Sequence, residues 1–372
     1  MLSTSRDEAE RLLAKSLSRH IGYTSGASGL DRIFSTLDAF RDRTSAYQSE
    51  LVAFLQEARD LEQSEPLSPK YAADVLSFAT SMGLLDVVSA RDAKIPRYAA
   101  SEIGRSLLGA AAIGDAGFYN YYSTQIVLRS DADYIIPILR FLENPLDIGL
   151  QPYFIDYQTS LRERRLSWLN QVMPERILLE RITDQLTWVK KSKSANALLD
   201  VEIPTANTAR HHATPRQGWV MQLGMVDRQT RQLTPFGEDV LRSLDPEHCY
   251  FWISPPADAL QSLRLSPIPP GQAEDEIRFT TGKLPPSDSE IARLVSDLSS
   301  VMRRGFPAAK LIHAPQASLQ LPIEYIFYRS YADKRDYRWE DILDALFSDF
   351  KGTFERFSAR KGKIGFYRVV GS

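Results

Sequence analysis

Cysteine is all but missing from this sequence. Cys249 stands alone among 372 residues, which excludes an intramolecular disulfide and a thiolate metal cluster. Long apolar runs are missing too, and none approaches the roughly 18 residues that a membrane-spanning helix requires. Charge of a single sign is lacking: 45 Lys and Arg stand against 47 Asp and Glu, a formal net charge of −2. That balance weighs against a simple non-specific nucleic-acid binder, which is usually basic. The opening stretch from Met1 to Glu10 has no apolar core behind a basic start, so no secretory signal is expected. These absences point to a reducing cytoplasm and no membrane partner.

Catalytic signatures are also lacking. There is no phosphate-cradling G-x-x-x-x-G-K-[ST], no G-x-G-x-x-G behind a strand, no G-x-S-x-G elbow and no H-E-x-x-H pair. The histidines (His20, His211, His212, His248, His313) are scattered. The adjacent pair His211-His212 points in two directions and does not have the i, i+4 spacing of a chelate. Asp200-Val-Glu202 offers two carboxylates but no lysine to complete a nuclease strand, so it reads as an ordinary polar strand. Cys249 sits beside Tyr250, Phe251 and Trp252 with no base nearby and reads as core. No enzyme, cofactor or metal is expected.

What is present is the composition of a globular chain, 43% hydrophobic and 25% charged, long enough for two to four compact units. One phrase occurs twice, about 140 residues apart. Phe78-Ala-Thr-Ser-Met-Gly-Leu-Leu85 and Trp219-Val-Met-Gln-Leu-Gly-Met-Val226 each place an aromatic residue five positions before a glycine and follow it with an apolar pair. A second phrase comes after a polar stretch: Tyr98-Ala-Ala-Ser-Glu-Ile-Gly104-Arg-Ser-Leu-Leu108 in the first copy, Leu233-Thr-Pro-Phe-Gly237-Glu-Asp-Val-Leu241 in the second. The order predicted is a helix ending at glycine, a strand, a polar loop, a strand and a further helix.

Around these copies the chain divides into six segments. Residues 1–66 are expected to be helical, with Leu30, Ile33, Phe34, Leu37 and Phe40 at three- and four-residue spacing and Leu51, Phe54 and Leu55 continuing the stripe. Residues 67–110 form the first copy, whose helix starts at a Ser68 cap with Pro69 in its first turn. A helical spacer fills 111–194, with a tyrosine-rich helical pair over 118–143 whose aromatics read as core. A long helical stretch follows over 158–193. Residues 195–250 hold the second copy, where Thr214-Pro215 repeats the capping logic and Thr230 marks a tight turn. Residues 251–286, with Pro255, Pro256, Pro267, Pro269, Pro270, Pro285 and Pro286, read as a linker. A C-terminal unit, 287–372, opens with a Ser287…Glu290 capping box on a helix through Met302. It continues with Ile323–Tyr328, a strand or a short helix. It ends in a helix over Trp339–Phe357 and a strand behind a basic, glycine-bearing turn.

The glycine-terminated helices at Gly83 and Gly224, with the L-T-x-x-G phrase and its looser form at Ala99–Gly104, resemble the winged helix-turn-helix superfamily. The implied fold is mainly α with small β-hairpins (α+β): tandem winged-helix domains joined by helical spacers. The wider arrangement resembles the DNA-recognition regions of type IIS restriction enzymes and accessory proteins of prokaryotic anti-phage defence, without a recognisable nuclease domain. The resemblance implies a recognition or scaffolding subunit of a bacterial defence or mobile-element complex, with any catalysis supplied by a partner.

In a helix-turn-helix the second helix meets base edges while flanking cations fix phosphates. The candidate contacts to double-stranded DNA are therefore Lys70, Arg91, Lys94 and Arg97 in the first copy. In the second they are Arg210, His211, Thr214, Arg216, Gln217, Arg228 and Arg231. Arg360, Lys361 and Lys363 join them from a C-terminal stretch (351–372) with six basic residues and one acidic. Arg216 and Gln217 are the best candidates for base readout, because both side chains can bond bidentately to purines. Two alternatives stay open. One is a protein-interaction scaffold binding an ATPase, nuclease or SMC-like partner through its winged helices, which near-neutral charge favours. The other is a divergent nuclease centred on Asp200 and Glu202.

Overall fold

The structure, a computed structural model, describes residues 29–57, 68–88, 95–145, 148–160, 206–243, 284–310, 315–358 and 365–370. The expectations for Arg91, Lys94, Asp200, Glu202, Cys249, Arg360, Lys361, Lys363, residues 161–194 and most of the proline-rich segment lie outside them. The described residues are mainly helical, with two small antiparallel three-stranded sheets among them. The chain divides into two units: residues 24–130, 222–224 and 267–372 form the first, and residues 1–23, 131–221 and 225–266 the second.

The first unit begins with α1 (Leu30–Ser35), which tightens into a 3-10 turn over Thr36–Phe40. The stripe Leu30, Ile33, Phe34, Leu37 and Phe40 is buried, as its spacing predicts. β1 (Ala46–Tyr47) follows, then α2 (Gln48–Glu57), α3 (Pro69–Ser81), β2 (Leu85–Val87) and β3 (Arg97–Ala100). The last strand is central, giving the order β1-β3-β2, with Ala46 opposite Tyr98 and Leu85 opposite Ala100. β1 falls in a stretch whose sequence predicts only helix, because two residues are too few to show a period of two. At the head of α3 the Ser68 hydroxyl accepts the Tyr71 amide and Pro69 occupies the first turn. α4 (Glu102–Ile113) closes this part.

The C-terminal part of the same unit repeats that order. It runs α8 (Asp288–Ala309), β4 (Ala317–Ser318), α9 (Gln320–Ala332), α10 (Trp339–Asp349), β5 (Phe354–Phe357) and β6 (Phe366–Val369). Again the last strand is central, β4-β6-β5. Along the chain, α5 (Ala116–Glu143), α6 (Ala206–Gln222) and α7 (Pro235–Ser243) lie between the two parts. The capping box at Ser287 and Glu290 is present, and α8 runs on to Ala309. Ile323–Tyr328 is helical, inside α9. The helix expected over Trp339–Phe357 stops at Asp349: Gly352 takes a positive φ of 94°, and Phe354 onward is strand. The apolar spacing of Phe350 and Phe354 therefore marks a turn folded onto itself, with the two rings 6.3 Å apart.

The two halves of this unit meet where α4 crosses α8. A Cβ placed on Gly109 would lie 2.9 Å from the Ala309 Cβ and 3.2 Å from the Gly305 carbonyl. One placed on Gly305 would lie 3.3 Å from the Gly109 carbonyl. Two glycines face each other so that the helix backbones can touch. Arg304 donates to the Ile113 carbonyl at the end of α4, and Ser318 of β4 bonds the Glu102 carboxylate at its start. A cluster of rings fills the space beside this crossing. Phe118 stacks on Tyr122 and meets Tyr325 edge-on, and Tyr121 stacks on Tyr331. The tyrosines of this stretch pack as core.

α5 (Ala116–Glu143) is the expected helical pair in a single element, broken at Asp131, whose φ of −142° is not helical. The second unit is described from that break: the end of α5, helical residues 150–160, α6 (Ala206–Gln222) and α7 (Pro235–Ser243). Its small core gathers Tyr134, Phe154, Ala209 and Ala213. The helix start expected at Thr214-Pro215 is not there, since α6 runs through Pro215 from Ala206. The ring removes one backbone donor. The Arg216 side chain adds a bond to the neighbouring His212 carbonyl, 2.9 Å away.

Candidate nucleic-acid interface

The repeated phrase folds into the same joint twice. Gly83 and Gly224 end α3 and α6 at φ of 71° and 72°, a left-handed conformation that favours glycine. The next residue turns back onto the helix, with Leu84 N–H donating to Ala79 and Met225 N–H to Val220, both at 2.9 Å. After the hairpin, Ser101 N–H returns to the Leu84 carbonyl and Thr234 N–H to that of Met225, again both at 2.9 Å. The Ser101 hydroxyl accepts Gly104 N–H, and the Thr234 hydroxyl accepts Gly237 N–H. The two glycines leave no room for a side chain, because a Cβ would sit 2.3 Å from the Leu84 carbonyl oxygen and 2.0 Å from that of Met225. The phrase thus encodes a helix, an extended return and a capped second helix, locked by two backbone bonds in each copy.

The first copy presents Lys70 and Tyr71, exposed near the start of α3, and Arg97, exposed on β3. The Arg97 guanidinium lies 5.3 Å over the Tyr47 ring, so cation and aromatic share a surface. The hairpin rim is apolar: Val87, Val88 and Ile95 are each about half exposed or more, up to 59%.

The second copy splits the expected contacts. Arg210 and Thr214 are exposed, while His211 and Gln217 are half-buried. Arg216 does not reach the surface at all, with 0% of its area exposed. Its Nε and Nη2 grip both oxygens of Asp131, the latter at 2.8 Å, and its Nη1 donates to the His212 carbonyl. Its guanidinium lies 4.5 Å from the Tyr134 ring centre and 5.3 Å from that of Trp219. Pulling it out to a base would strand the Asp131 charge in the interior, a loss of several kcal/mol. The reading of Arg216 as a base reader is therefore corrected: it is an internal clasp across the break in α5. The signal was in the periodicity. Ala209, Ala213, Arg216 and Val220 are all buried and lie four, three and four residues apart, so Arg216 stands on the apolar stripe.

The second hairpin is shorter and tightly bonded. Asp227 N–H donates to the Gln232 carbonyl, and the Asp227 carboxylate accepts the Gln229 and Thr230 amides and the Thr230 hydroxyl. Those bonds, the Thr230 amide foremost, hold its pKa below the usual carboxylate value. Arg228 and Arg231 are exposed on this tip. Arg231 adopts a φ of 59° and sends Nη1 to the Met221 sulfur at 3.1 Å. The turn thus displays two guanidinium groups on a fixed backbone.

α10, which holds in the C-terminal part the place α3 holds in the first, is acidic where α3 is mixed. Glu340, Asp341, Asp344 and Asp349 are all exposed, and the helix contains no Lys or Arg. Arg356 of β5 pairs with Asp344 at 2.6 Å, and Arg338 lies 3.6 Å from Asp341. Neither this acidic helix nor the Asp131 clasp is marked by any motif in the sequence.

Among the described residues no group of His, Cys, Asp and Glu could hold a metal ion, and no helix is long and apolar enough to cross a membrane. No protein-family model, curated protein sequence or solved structure matches the chain.

Proposed function

We propose that the chain is a non-enzymatic subunit that binds duplex DNA through winged helices. The observation that carries this reading is the connectivity of Leu30–Ala100: helix, strand, helix, helix and two hairpin strands, the last strand central in the sheet. That is the winged-helix order, in which the third helix enters the major groove and the hairpin flanks it. On this reading Lys70 and Tyr71 sit at the start of the entering helix and Arg97 on the wing strand. The second copy contributes Arg228 and Arg231 from its short hairpin, with Arg210 and Thr214 on α6. Phosphate contacts by these cations supply affinity although the chain as a whole is near neutral. Placement in a defence or mobile-element complex rests on the resemblance alone.

A protein-interaction scaffold is the second reading, and the acidic face of α10 favours it, because carboxylates repel phosphates. The two separate in a titration of fluorescent duplex DNA with the full chain across a salt series. The DNA reading expects affinity that falls steeply with salt, with a slope lower by about two in Arg228→Ala/Arg231→Ala, one per lost phosphate contact. Absence of binding at low salt contradicts it and leaves the scaffold.

A further inference from the structure

The two halves of the first unit share one connectivity and can be laid over each other element by element. Counting from the first residue of α3 and of α10, Pro69 matches Trp339, Lys70 matches Glu340, Tyr71 matches Asp341 and Asp74 matches Asp344. The buried positions match as well: Ala72 and Leu76 in α3 stand where Ile342 and Leu346 stand in α10. Lys70 and Tyr71 are exposed where Glu340 and Asp341 are exposed, and Asp74 is half-buried where Asp344 is exposed. At those three positions the first half carries one cation, one anion and an exposed tyrosine. The C-terminal half carries a carboxylate at each of the three.

We infer that only the first of these two halves, Leu30–Ala100, meets DNA, and that the C-terminal half is kept off the duplex by Glu340, Asp341 and Asp344. This rests on the DNA-binding reading above and narrows it from a tandem array to one reading head within the first unit. A helix entering the major groove lies between two rows of phosphates, where each carboxylate meets like charge and little water to screen it. Among the described residues, two cations beside α10 lie against its carboxylates, Arg356 against Asp344 and Arg338 against Asp341. Arg368 of β6 pairs with Glu355 of β5. On α3 itself Lys70 and Asp74 are the charged residues, and the Arg97 guanidinium of β3 lies over the Tyr47 ring.

The structural basis for the asymmetry is the way the halves are joined. α4 and α8 touch backbone to backbone at Gly109 and Gly305, and the ring cluster of Phe118, Tyr325 and Tyr328 packs beside them. The two halves are thus fixed in one body, and a single duplex engaging α3 does not require α10.

A photoreactive benzophenone side chain placed at Tyr71 and, in a separate protein, at Asp341 tests this on the full chain. Both positions are third in their helices and exposed, so both report on the same place in the repeated architecture. With a duplex shown to bind by fluorescence, crosslinking from position 71 should exceed that from 341 by about tenfold or more, as contact against no contact. Equal or greater crosslinking from 341, or none from 71, overturns the inference while the DNA reading stands. No binding at low salt removes the reading itself. The triple variant Glu340→Gln/Asp341→Asn/Asp344→Asn should raise duplex affinity by about tenfold as the C-terminal half joins the contact, whereas affinity within about twofold of wild type would show that those carboxylates do not keep it off and contradict the inference.

Discussion

The half of the first unit at Leu30–Ala100 and the half at Asp288–Val369 agree in connectivity and disagree in surface. Both fold a short strand ahead of two helices and place the last strand of the hairpin in the middle of a three-stranded sheet. One buries Ala72 and Leu76, the other their counterparts Ile342 and Leu346. Yet the helix that follows the second turn is mixed in charge in one and carboxylate-lined in the other. Connectivity is set by what must be buried and by where the chain can turn, namely the apolar spacing, the Ser68 and Ser287 caps and the glycines. Function is set by positions that packing leaves free, and these have diverged. A shared fold in one molecule therefore does not license a shared role.

The comparison extends to the second unit, where the repeated joint is kept but a charged residue has moved inside. Its most consequential test is Arg216→Ala. Removing the guanidinium that holds both oxygens of the buried Asp131 should lower stability by about 3–5 kcal/mol, read by denaturant unfolding. Arg228→Ala/Arg231→Ala, on the exposed tip, should leave the unfolding midpoint nearly unchanged. Equal effects from the two variants would erase the distinction between a buried clasp and a surface contact. The next effect concerns the joint. Gly104→Ala and Gly237→Ala each drive a methyl into a strand carbonyl, and each should cost about 1–3 kcal/mol. A large loss at one and none at the other would show that the two copies are not built alike.

The smallest effect separates the two helix caps. Glu290 accepts the Ser287 backbone amide and the Arg335 guanidinium, and these bonds, the amide first, pull its pKa from 4.5 to about 2. A carboxylate depressed in the folded state contributes stability that is fully present above about pH 4.5 and is lost as pH falls toward 2. The cap at Ser68 has no such carboxylate partner. The thermal midpoint of wild type should thus fall over that acid range more steeply than that of Glu290→Gln. Parallel curves would remove Glu290 from the account.

Much of the fold was legible in particular residues. Leu30 to Phe40 announced a buried helical face, Ser68-Pro69 and Ser287…Glu290 announced helix starts, and Gly83 and Gly224 announced the repeated joint. What escaped was short or non-local. β1 is two residues long and pairs with β3 some fifty residues on, so no local pattern marks it. The end of α10 was hidden because Phe350 and Phe354 keep a helical spacing across a turn. The candidate site was less legible than the fold. Arg216 carries the chemistry of a base reader, but its stripe neighbours Ala213 and Val220 take it inside. The acidity of α10 was readable in Glu340, Asp341 and Asp344, but it acquires meaning only when the structure sets α10 against α3.

On the proposed reading, the half at Leu30–Ala100 carries the contact with DNA. The most direct test is the salt dependence of duplex binding by Lys70→Ala/Arg97→Ala beside that of wild type. The account predicts weaker binding with the slope of log affinity against log salt reduced by about two. Wild-type affinity with an unchanged slope would contradict it and move the interface away from α3 and its hairpin.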